Sequence, residues 1–172
     1  GFNASLVMCL IAVTVSGAQT VGGINVEEGT VTLAGGPLSL NGAGTIDVAS
    51  GITANISSVL AGAVGLTKTG AGNLLLHTAN TFTGTVSIAS GNNVTLVDTT
   101  PLDLGLSNVS GNLGLTANGN ITDSGALTVT GTTTLAPGPA NSITLNNANN
   151  FSTVAITNGT NAIPATSGNY YL

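Results

Sequence analysis

Short apolar runs, many of them alternating with hydroxyl or amide residues, recur along the whole chain between small polar turns. The clearest module runs from Leu66 to Gly91. Leu74, Leu75 and Leu76 form its first run. From Thr85 to Ala89 the residues alternate, with Val86 and Ile88 on one face and Thr85 and Ser87 on the other. That period of two is the signature of a half-buried strand. Gly70, Gly72, Gly84 and Gly91 mark the bends.

The same texture extends in both directions. Runs at 31–33, 38–40, 45–49, 52–56 and 59–60 precede the module. Others at 94–97, 102–106, 113–115, 127–129, 132–135, 143–145 and 154–156 follow it. Gly35-Gly36-Pro37, Asn41-Gly42, Gly91-Asn92-Asn93, Asn118-Gly119-Asn120 and Pro137-Gly138-Pro139 read as turns between them. No long segment carries a 3.6-residue period, so no helix is expected. The pattern predicts an all-β protein.

The start of the chain differs. Leu6 to Val15 is almost unbroken in its apolarity, and Ser16-Gly17-Ala18 resembles a small-residue signal-peptidase site. No Lys or Arg precedes the run, and it is too short for a spanning helix, which needs about 20 apolar residues. Residues 1–20 are therefore set apart as an apolar N-terminal segment, with residues 4–15 forming one or two strands at a subunit junction. Residues 21–172 are the repetitive body.

Composition narrows the partners. Charged residues make up 4% of the 172, so electrostatic resistance to self-association is weak. Lys68 is the one basic residue, against six acids: Glu27, Glu28, Asp47, Asp98, Asp103 and Asp123. Phosphate backbones need several cations, so nucleic acid is excluded as a partner. A basic membrane-surface helix is excluded for the same reason. Cys9 is the sole cysteine, which rules out an internal disulfide and predicts a small buried apolar residue.

Internal repetition gives the architecture. Gly44-Thr45-Ile46-Asp47-Val48-Ala49-Ser50-Gly51 matches Gly84-Thr85-Val86-Ser87-Ile88-Ala89-Ser90-Gly91 position for position, and 125–131 repeats the theme. Spacings near two coils of roughly 20 residues each predict a solenoid of roughly seven or eight coils. Leu66-Thr67-Lys68-Thr69-Gly70-Ala71-Gly72-Asn73-Leu74 followed by Asn80-Thr81-Phe82-Thr83-Gly84 resembles the autotransporter-associated β-strand repeat. Residues 121–129, 131–135 and 141–151 resemble the repeats of filamentous-haemagglutinin-type exoproteins. These resemblances imply a secreted, right-handed, single-stranded parallel β-helix (a β-solenoid) at a bacterial cell surface.

A solenoid exposes unpaired backbone at both ends, and no amphipathic capping helix is evident here. The expectation is therefore an uncapped column stacking head to tail into an extracellular filament. Its junction would involve Leu6, Val7, Leu10, Ile11, Val13 and Val15 with Tyr170, Tyr171 and Leu172. The expected partners are copies of itself and a host or neighbouring cell surface. The alternative is a passenger fragment of a large surface adhesin.

Candidate chemistry is sparse. His77 lacks a sequence-near acid to orient it as a base, and reads as a surface residue. Asp98 and Asp103 are weighed as calcium ligands or as exposed turn acids, and Lys68 as a motif residue or a solvated turn. Asn146, Asn147, Asn149 and Asn150 are weighed as an amide ladder or as turn residues. No catalytic residue, cofactor or metal site is expected, and the chain is read as a non-enzyme.

Overall fold

The computed structural model describes residues 10–157 in full and residues 161–171 as backbone. Alternation and turn chemistry give seventeen strands among the described residues. They are β1 (Leu10–Val15), β2 (Gln19–Val26), β3 (Thr30–Gly35), β4 (Leu38–Val48), β5 (Thr53–Ile56), β6 (Leu60–Gly62), β7 (Leu66–Thr69), β8 (Asn73–Phe82) and β9 (Thr85–Ile88) in the first half. The rest are β10 (Val94–Asp98), β11 (Leu102–Leu104), β12 (Ser107–Val109), β13 (Leu113–Thr116), β14 (Ile121–Asp123), β15 (Leu127–Ala136), β16 (Ser142–Ile156) and β17 (Asn161–Tyr171). There is no helix among the described residues.

Every strand pairing is parallel, and each strand pairs with its counterpart one turn of the chain away. One stack runs unbroken through Leu10↔Thr30, Thr30↔Thr53, Thr53↔Asn73, Leu74↔Val94, Val94↔Leu113, Leu113↔Thr133 and Thr133↔Val154. The result is a β-solenoid of about seven coils, as the sequence spacing predicts. A second stack links β2, β4, β7 and β9. It continues above through β12, β15 and β16. The third is stepped. Below, it joins β2, β4, β6 and the end of β8. Above, β11, β14 and β16 carry it, with β11 resting on β9.

Alternation decides what is inside. On the unbroken stack, Val31, Ala54, Leu74, Val94, Leu113, Thr133 and Val154 lie in register as one inward column. Leu33, Ile56, Leu76, Leu96, Leu115, Leu135 and Ile156 form another. All are buried except Val31, Leu33 and Ile156 near the two ends, which are partly buried. Aliphatic side chains suit this pleated, stacked surface. With Trp absent and aromatics at 3%, the core is filled by ladders of Val, Ile and Leu.

Several strands go beyond what the alternation reveals, β2 and β12 among them. β2 contains Gly22 and Gly23, which break the apolar pattern, yet its backbone pairs with β4. β12 carries Ser107 inward, which hides its period.

Leu135 is fully buried, and its neighbour Thr134 points out to solvent. Leu135→Ala is expected to cost about 2–5 kcal/mol through lost burial and a residual cavity. Thr134→Ala should change stability by about 0.5 kcal/mol or less. Urea unfolding of the two variants checks the contrast.

Candidate functional site

The Leu66–Gly84 module becomes a corner stitched across coils. On β7, Leu66 and Lys68 share the inward face, with Lys68 in register between Ile46 below and Ile88 above. A solvated Lys68 is the expectation this overturns: the side chain is fully buried. Alternation drives it inward, and its four-carbon stem packs among aliphatic neighbours. Its ammonium donates to the carbonyl of Thr69, to that of Gly70 at 2.6 Å and to that of Ser90 at 3.3 Å. One cation thereby ties its own turn to the turn of the next coil. Burial lowers the Lys68 pKa from 10.5 to about 8, and the attraction of Asp47 partly offsets the fall.

The rest of the motif follows from close backbone approach. Gly70 has φ +70°, and a Cβ there would lie 2.2 Å from the Val48 carbonyl oxygen. At Gly72 a Cβ would lie 2.3 Å from that of Ala49. Asn80 is buried. Its Oδ1 accepts from the Leu60 amide at 2.7 Å, and its Nδ2 donates to the Val97 carbonyl at 2.8 Å. Asn80 therefore bonds the coil below and the coil above.

Asn side chains do form a ladder, but not at 146–150. Asn73 Nδ2 donates to Thr53 Oγ1 at 3.1 Å, and Asn73 Oδ1 accepts from the Asn93 amide at 3.0 Å. Asn93 Oδ1 accepts from the Asn112 amide at 2.9 Å, and Asn112 Oδ1 from the Thr132 amide at 2.8 Å. One residue per coil, at the corner before the unbroken stack, thus satisfies a corner amide of the next coil. Asn146, Asn147 and Asn149 instead gather on Asp123. Its carboxylate accepts from the Asn146 amide at 2.7 Å, the Asn147 amide at 3.1 Å and Asn149 Nδ2 at 2.8 Å. The sequence period locates coils, but which Asn of each coil falls on a corner depends on register.

The acids do not assemble a site. Asp103 faces outward and accepts from Thr85 Oγ1 at 2.8 Å and Ser124 Oγ at 2.7 Å. Asp98 is buried, with Oδ1 bonded to the Thr100 amide and hydroxyl and Oδ2 unpartnered. Burial raises its pKa, and the bonds from Thr100 and Thr99 counter part of the rise. One carboxylate points in and the other out, which corrects the idea of a shared calcium. No cluster of three or more His, Cys, Asp or Glu stands among the described residues. His77 is exposed on β8, as expected of a surface residue.

Among the described residues, the first strand carries the large exposed apolar side chains of the N-terminal end. Leu10 is 73% exposed and Val13 43%. Ile11 and Val13, with Ile24, Val31 and Leu33 above, line an apolar cavity of about 260 Å³ that reaches Ala54 and Ile56. Ile11 and Val15 are half-buried. Of the other residues expected at a junction, Leu6, Val7 and Leu172 lie outside the described residues, as does Cys9. Tyr170 and Tyr171 pair by backbone with Val154 and Ala155. No helix among the described residues is long and apolar enough to cross a membrane.

Comparison with known proteins finds partial likenesses. Residues 91–158 match a family described as repeats of unknown function (DUF5649). Over 80 residues the chain is 45% identical to a protein named "Adhesin BmaC autotransporter" from Brucella suis biovar 1 (strain 1330). That alignment covers 46% of this chain and 2% of the relative's own length. No solved structure matches.

Lys68 generates a pH prediction with a definite sign. The folded column releases the proton near pH 8, whereas an unfolded chain keeps it to about 10.4. Between these values the unfolded state binds more protons, so stability rises with pH. The gain from pH 7.5 to pH 10.5 should approach about 3 kcal/mol. In Lys68→Met that rise should vanish. Urea midpoints across this pH range check both.

Proposed function

We propose that this chain is a stretch of the rigid shaft of a large bacterial surface adhesin of the autotransporter type. The 45% identity over 80 residues to a protein bearing that name carries the reading. Each coil of about 20 residues adds one strand spacing, about 4.8 Å, to the length of a column. Seven coils therefore reach about 34 Å, and a longer run of them would hold a binding element far from its anchor. The role is structural, not catalytic, and its place is outside the cell or on its surface. The resemblance of Leu66–Gly84 to the autotransporter-associated repeat supports the same reading.

A filament of separate copies stacked head to tail gains nothing from the relatives. The apolar mouth beside Ile11 and Val13 calls for a covering layer. Another coil of one long polypeptide supplies it as well as a second copy does.

Antibodies raised against the purified chain test the proposal on cells of the source bacterium. Intact cells should label, and protease treatment of intact cells should remove the signal. Labelling only after permeabilisation would overturn the reading. Electron microscopy of the purified chain separates the two assemblies: regular filaments would favour stacked copies over a shaft.

A further inference from the structure

Two Asn-Gly dipeptides among the described residues sit in opposite environments. Such a pair is chemically labile because glycine places no side chain in the way of attack on the preceding carboxamide. Asn41 and Gly42 are both exposed. They lie where the pairing of β2 with β4 jumps from Val21↔Leu40 to Gly23↔Thr45. The pairings of β4 with the coil above involve Leu38, Ser39 and 45–47, which also skips Asn41–Gly44. This segment is thus a bulge with no registered partner above or below. Gly42 has φ +59° with nothing within 4 Å of where its Cβ would be.

Asn118–Gly119 is the opposite case. Asn118 is exposed, but Gly119 is buried and its amide donates to the Pro137 carbonyl at 3.2 Å. A Cβ on it would lie 2.6 Å from the Pro101 nitrogen. The nitrogen that would have to swing onto the Asn118 side chain is held by the coil above and wedged against the coil below.

We propose that Asn41 is a site of spontaneous deamidation in the folded protein, while Asn118 is kept inert by the column. The Gly42 amide nitrogen loses its proton and bonds to Asn41 Cγ. The carboxamide nitrogen departs as ammonia, carrying that proton, and a five-membered succinimide remains. Water then opens one of the two ring carbonyls, giving aspartate or isoaspartate. Either product adds one negative charge. Isoaspartate also lengthens the backbone by one methylene, at a bulge outside the ladder, so the coils are preserved.

The test is prolonged incubation of the folded chain in mildly alkaline buffer, followed by peptide mapping with mass spectrometry and enzymatic isoaspartate labelling. Conversion at Asn41 should run at least about tenfold faster than at Asn118, because the latter requires the coil to open. In denaturing urea the two rates should converge. Asn41→Gln should remove the fast conversion and leave the unfolding midpoint unchanged. Equal rates in the folded protein, or an Asn41 that stays intact while Asn118 reacts, would overturn the proposal.

Discussion

The parallel hydrogen-bond ladder between successive coils is the constraint on which this molecule depends. Once Leu10, Thr30, Thr53 and Asn73 are held in line, every neighbouring residue has its side assigned by alternation. Val, Ile and Leu then stack into inward columns, and most Thr, Ser and Asn are left outside. A protein with 4% charged residues and three Phe can therefore be well packed. It spends its apolar residues on identical sites repeated along an axis, not on one central cluster of large side chains.

Polar groups inside the column pin its register. A coil slipped by one residue would put its apolar side chains in water. A slip by two would keep the alternation, and hydrophobicity alone opposes it weakly. Lys68, Asn80, Ser107 and Asn149 discriminate there. Each spans to a backbone group of an adjacent coil: Lys68 to Ser90, Asn80 to Leu60 and Val97, Ser107 to Ile88, Asn149 to Leu127. Buried polar groups left without partners cost more than the same groups bonded, so a shifted coil is penalised at several corners. Burial of the Lys68 charge is not free, as its lowered pKa records.

Architecture was legible in the residues, because period-two alternation and a near-20-residue repeat are local in sequence. The match of 44–51 to 84–91 holds in three dimensions only to within two residues: Ile46 and Ile88 flank Lys68 in one inward column, whereas the sequence match sets Ile46 against Val86. The interior polar contacts were much less legible. Lys68 reads as solvated because charge ordinarily means exposure, and only its place on β7 beside Leu66 points the other way. Asn146, Asn147 and Asn149 crowd together in sequence and suggest a ladder, yet their partner is Asp123. The true ladder, Asn73–Asn93–Asn112, is dispersed at one residue per coil and shows only once the register is known.

The coil-by-coil geometry is tested most directly by spin-label distances. Labels would go at Thr32, Thr95 and Ala155, with Cys9→Ser removing the native thiol. Three rungs separate Thr32 from Thr95, through Asn55 and Leu75, and three more lead through Gly114 and Thr134 to Ala155. The two inner distances should be nearly equal at about 14 Å, and the outer one should be their sum, about 29 Å. An outer distance no longer than the inner ones would contradict a stacked column.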